Sequence, residues 1–179
     1  MDWDSQKYLT EMQALVDLVM QLWTDGEQEP IYTVSIWTDP NAGASAISID
    51  TKASSAKFIA KVNAFNKKER ERLLAEGESK MAASYGIETR NCSPADFEFR
   101  DFVEFRHRWF PANWEEKSDG ACWELLLPIL RQVAGHAGAE FAKLSHEPDA
   151  ILGINSSRDW FDEEFRIGDG CRIARLAKY

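Results

Sequence analysis

The densest chemistry-bearing groups in this sequence are carboxylates. Glu115, Glu116 and Asp119 follow an aromatic stretch, and Asp159, Asp162, Glu163 and Glu164 crowd a second stretch towards the C-terminal end. Such groups can work as a general acid and base only where one lies in apolar and another in polar surroundings, which spacing does not provide. On an open surface the same groups attract and orient a basic partner. A nucleophilic Cys92 would need a histidine brought to it by the fold, and His107, His136 and His146 are far apart in the chain. No His-Glu-x-x-His run and no Cys-x-x-Cys pair occurs, so neither a metal site nor a disulfide framework is indicated for Cys92, Cys122 and Cys171. Gly43-Ala44-Ser45-Ala46-Ile47 comes nearest to a nucleophile elbow, but it lacks the second glycine and leads into a strand. No catalytic residue, cofactor or metal is expected.

These groups are carried by a regular order of elements. Tyr8, Leu9, Met12, Leu15, Val16, Val19, Leu22 and Trp23 repeat at three and four, which predicts a helix over residues 3–23. Asp2, Asp4 and Ser5 are its candidate caps and Gly26 its stop. Residues 31–38 and 44–51 alternate about the turn Asp39-Pro40-Asn41-Ala42-Gly43, an antiparallel hairpin whose Thr and Ser faces suggest a sheet half covered by helices. A second helix is expected from Ser54 to about Ala83, with the mixed run Lys67 to Arg72 as its solvated face. Residues 97–105 read as a strand with a bulge at Asp101-Phe102. A helix over residues 120–144 is kinked or split at Pro128, and residues 150–155 form a short buried strand. In the tail, Trp160, Phe161, Phe165 and Ile167 fit a short helix ended by Gly168. The order predicts one α+β domain over residues 1–179, an antiparallel sheet of about four to five strands against the N-terminal helix and two further helical segments.

Charge narrows the partners. There are 21 Lys+Arg against 30 Asp+Glu, a net −9, which argues against nucleic acid and anionic lipid, whose phosphates must be neutralised by bases. Acids stand where a signal peptide would carry positive charge, and the longest apolar run, Leu125 to Leu130, is far below the roughly 20 residues a bilayer requires. The expected place is the cytoplasm.

The loop Trp109-Phe110-Pro111-Ala112-Asn113-Trp114 is the unusual feature, because tryptophan is enriched where proteins bind one another. Together with Ile31-Tyr32-Thr33-Val34-Ser35-Ile36-Trp37-Thr38-Asp39, the turn after it and the second strand ending Asp50-Thr51, this loop resembles a bacterial family of uncharacterised domains. That family is similar to the immunity proteins of polymorphic and contact-dependent toxin systems. The resemblance implies a protein that blocks a cognate toxin by direct contact, and the acidic charge of this chain points to a basic one. On this reading the partner surface is Trp109, Trp114, Glu115, Glu116, Asp119, Asp159, Asp162, Glu163 and Glu164. The alternative is a small hydrolase or transferase using paired carboxylates or a Cys/His pair.

Overall fold

The computed structural model describes residues 3–23, 28–168 and 172–173. Helix α1 (Ser5–Leu22) starts where the Asp4 carboxylate accepts the backbone N–H of Lys7 at 2.9 Å. This satisfies one of the donors left free at a helix start. Tyr8, Met12, Leu15, Val16 and Val19 form its buried stripe. The expected cap at Asp2 and stop at Gly26 lie outside the described residues.

Strands β1 (Ile31–Asp39) and β2 (Ala44–Thr51) form the expected hairpin, closing with Asp39 opposite Ala44. Its turn is held by the Asp39 carboxylate, which accepts the N–H groups of Asn41 and Ala42, and by Gly43 at φ 60°. A Cβ at Gly43 would be strained in that left-handed conformation and would also press on the His107 carbonyl and Phe110. Helix α2 (Lys52–Ala75) follows at once, capped by the Thr51 hydroxyl, which accepts the N–H of Ser54. The single helix expected to run to about Ala83 is in fact two, because the chain reverses at Gly77 (φ 82°) before the one-turn helix α3 (Ser79–Ala82).

A short 3-10 turn (Pro94–Asp96) leads to β3 (Phe99–Arg106), antiparallel to β2. The bulge falls where the alternation slips: Ile47 faces Val103 but Ile49 faces Phe99, with Asp101 at φ 48°. Helices α4 (Trp114–Lys117) and α5 (Cys122–Phe141) come next, and α5 is one helix, with Pro128 on its exposed side. Strand β4 (His146–Ile154) starts earlier than expected. The tail makes a turn and strand β5 (Glu163–Arg166) instead of a short helix, because it pairs with β4, Leu152 opposite Phe165. The two-residue strand β6 (Arg172–Ile173) completes the sheet.

The sheet order is β3-β2-β1-β4-β5-β6, and β1 and β4 are parallel while all other neighbours are antiparallel. The α+β class expected from the order of elements is therefore observed, with one parallel step in a mostly antiparallel sheet. On one face Val34, Ile36, Ile47, Ile49, Leu152 and Ile154 join the stripes of α1 and α5 in the main core. Each such side chain contributes about 1.5–3 kcal/mol when buried.

The other face is covered too, so Thr33, Ser35 and Ser48 are buried instead of half exposed. Its cover is made by two loops. Phe97 and Phe161 pack with Ile151, and the Arg90 guanidinium donates to the Tyr32 carbonyl, the Thr33 hydroxyl and Asp149. Asp50 is buried beneath this loop, and desolvation raises its carboxyl above the usual range although Asn91 and the Glu98 N–H donate to it. Among the described residues the Ser35 hydroxyl has no hydrogen-bond partner. Removing an unpaired buried hydroxyl removes a desolvation penalty, so Ser35→Ala should raise stability by about 1 kcal/mol in urea denaturation. A clear loss of stability would show that the hydroxyl is bonded in solution.

Candidate functional site

Two polar assemblies could carry function, one buried and one open. The buried one runs from α1 across the hairpin to the end of β3. His107 Nδ1 lies 2.6 Å from Glu11 Oε2 and its Nε2 lies 2.8 Å from Ser45 Oγ. Ser45 Oγ is 2.7 Å from Thr38 Oγ1, which is 2.5 Å from the Tyr8 hydroxyl. Trp109 Nε1 also donates to Glu11.

An ionised Glu11 only accepts, which fixes the direction of the chain. His107 Nδ1–H donates to Glu11, Ser45 to His107 Nε2, Thr38 to Ser45 and Tyr8 to Thr38. Burial pushes the His107 imidazole below its ordinary value, against the pull of Glu11, and pushes the Tyr8 phenol up to about 12. Both are therefore neutral at pH 7, as this direction requires.

Ser45, His107 and Glu11 share the order of atoms of a hydrolytic Ser-His-acid triad. Their setting is different: Ser45 is 0% exposed, His107 2%, and the ring of His107 stacks on Phe110 at 4.6 Å. A hydroxyl enclosed in this way, donating and accepting at once, fastens α1 to the sheet. The sequence pattern offered no sign of it, since its five members are scattered between Tyr8 and His107.

The aromatic loop closes over this chain. Trp109 and Trp114 are half-buried and pack on the core with Phe110. Trp3, which the sequence reading did not single out for the site, lies 5.6 Å from Trp109 and 5.0 Å from Trp114 between ring centroids. Asn113 at φ 52° and Asp119 at φ 51° turn the chain on either side of α4, a conformation Asn and Asp tolerate better than most residues.

The open assembly is a cleft of about 280 Å³ at the ends of the parallel strands β1 and β4. Thr38 to Asn41 form one wall, Asn155 to Trp160 another, and Glu115 and Trp123 a third. Asn155 continues the β4–β1 ladder by accepting the Thr38 N–H at 2.9 Å and donating to the Thr38 carbonyl at 2.8 Å. Parallel pairing thus brings two loops from distant parts of the chain to one edge, the usual place of ligand crevices in sheets with parallel strands. Trp123 Nε1 donates to Glu115, and Asn41 accepts the Glu116 N–H, so α4 is tied to the rim. Trp160 stands 55% exposed at the edge, its ring against Trp37 at 5.8 Å.

The fold brings the two acidic groups of the sequence together. Glu115 and Asp159 line the same cleft, Glu116 and Asp119 are exposed on the α4 side, and Asp162 is half-buried beneath Arg158. Glu164 is half-buried on β5. Glu163 has to be corrected. It is 3% exposed and takes a bidentate pair from Arg131, with Arg172 at 3.5 Å. The Arg131 hydrogen bonds hold its carboxyl below the usual range, so it is an internal anchor that a partner cannot reach.

Residues missed by the sequence reading are Asp39, Asn155, Arg158 and Trp160. Their signal was turn chemistry directly after two apolar strands, legible only once those strands are known to be neighbours. Cys122 is buried, and desolvation raises its thiol, the reverse of an activated nucleophile. Cys92 is half-buried against Phe97, Ile151 and Phe161. Among the described residues no group of three His, Cys, Asp or Glu could hold a metal ion, and no helix is long and apolar enough to cross a membrane. The chain matches no protein-family model, no curated protein and no solved structure.

Proposed function

We propose that this chain is a binding protein that neutralises a basic protein partner by direct contact, in the manner of a bacterial immunity protein acting on a toxin. One observation carries the reading: carboxylates from two distant segments, Glu115 and Asp159, meet at one cleft edged by the exposed indole of Trp160. Acids around a concavity raise the encounter rate of a positively charged partner and orient it. An exposed aromatic beside them supplies the apolar anchor on which binding energy concentrates. Trp109 and Trp114, the latter the first residue of α4, support this surface by packing on the core and on Trp3.

The product of the adjacent gene is the first partner to test. Calorimetry is expected to show a complex that weakens with salt and loses tenfold or more in affinity in E115K/D159K, about 1.4 kcal/mol per factor of ten. Absence of a complex, or an affinity that the double charge reversal leaves unchanged, would overturn the reading.

A further inference from the structure

Charge in this protein is divided between two ends. Residues 52–80, the α2–α3 arm, carry eight Lys+Arg and four Asp+Glu, a net +4, so the remaining residues carry 13 and 26, a net −13. The mixed run that looks neutralised in sequence is sorted by the helix. Lys57, Lys61, Lys68 and Arg72 recur at intervals of four, seven and four, which places them on one face, and all four are exposed. Glu69 and Glu76 reach Arg72 from the flank of that face. Among the described residues no ion pair engages Lys57, Lys61 or Lys68.

The same arm carries exposed apolar groups. Phe65 lies within the basic stripe and is 57% exposed, and Met81 and Ile87, just after the arm in the chain, are 56% and 80% exposed. A helix that is basic and apolar on its open side is an unpartnered binding face.

The surface that complements it is on the same molecule, at the other end. Helix α2 leaves β2 at Thr51, opposite Ile31 at the start of β1, while the acidic cleft opens at Thr38 and Asp39, where β1 ends. With about 3.3 Å per strand residue the base of α2 and the cleft lie roughly 25 Å apart, at opposite ends of β1. We infer that a second copy of this chain occupies the arm: two copies set antiparallel about a two-fold axis place each basic arm, with Phe65, against the acidic cleft and Trp160 of the other. Such a pairing is closed and self-complementary, making the same contact twice. It rests on the cleft being a binding surface, and it makes the second copy a competitor of the basic partner for that cleft.

Sedimentation velocity on the full chain tests this at low salt and at about 0.5 M salt, where charge attraction is screened over a few ångströms. The expected result is a dimer at low salt that dissociates at high salt. K57E/K61E/K68E should be monomeric, as should E115K/D159K. An equimolar mixture of these two variants should restore the dimer, because an acidic arm then meets a basic cleft and a basic arm an acidic one. Lys57, Lys61, Lys68 and Asp159 are exposed, whereas Glu115 is half-buried and accepts from Trp123, so circular dichroism checks that the variants are folded.

A wild-type chain that stays monomeric at low salt, or a mixture that fails to restore the dimer, overturns the inference. So does a monomer held by phosphatidylserine vesicles through the same lysines, which would assign the arm to a membrane surface. The cleft reading fails separately, when E115K/D159K leaves binding of the basic partner intact. The arm variant K57E/K61E/K68E should bind that partner at least as tightly as the wild type.

Discussion

Gly153→Ala is expected to lower stability by about 3 kcal/mol, at the upper end of the usual overpacking range. Gly153 lies in β4 between β1 and β5, with Ser35 and Glu164 as its neighbours. A Cβ built there overlaps three atoms of the Phe161 ring, which is fully buried and packs with Phe97 and Ile151. The ring is held among buried neighbours, so either the strand or the loop that ends in Asp162 must shift. Because that loop forms a wall of the cleft, the substitution should also weaken partner binding.

Phe161→Ala alone should lose about 3–5 kcal/mol through the cavity it leaves. The double variant should lose clearly less than the sum, since each change relieves the other, with a coupling of about 1–3 kcal/mol for residues in contact. Urea denaturation of the four proteins measures the cycle. Additive losses would mean that the ring does not lie on Gly153.

His107→Ala should lower stability by about 3–4 kcal/mol at pH 8. It opens a cavity against Phe110, leaves the proton of the buried Ser45 hydroxyl without its acceptor, and takes one donor from the half-buried Glu11 carboxylate. Trp109 remains bonded to Glu11, which limits the loss.

The same histidine gives a pH dependence whose sign follows from burial. Its folded-state value lies below the ordinary 6.5, with desolvation as the largest cause. The unfolded chain then binds the proton more readily, so stability is fully present above pH 6.5 and is lost as pH falls below it towards the depressed value. Wild-type unfolding free energies measured from pH 8 to pH 5 should fall over that range more steeply than those of His107→Ala. Parallel curves would show that the imidazole is not held neutral by its surroundings.

What could be read from sequence and what could not follow a physical division. The stripe of α1, the hairpin with its Asp39–Gly43 turn and the bulge at Asp101 are local, set by periodicity, turn chemistry and a slip of parity within a few residues. The strand at Glu163–Arg166 fits a helix just as well in isolation, and pairing with β4 decided it. The acidic groups were visible as residue types, but Glu163 could not be told from Asp159. One meets Arg131 from α5 inside the protein and the other meets solvent at the cleft.

The α+β order of elements, the acidic balance and the lack of a recognisable catalytic motif follow from composition and from neighbours in the chain, and are legible without the fold. Long-range packing, by contrast, sets β1 parallel to β4, brings Glu115 and Asp159 to one cleft, and joins Tyr8, Thr38, Ser45, His107 and Glu11 in one hydrogen-bonded line. Those are contacts between residues up to 118 positions apart, fixed by how the strand faces and the helices pack against one another, and no short-range pattern encodes them.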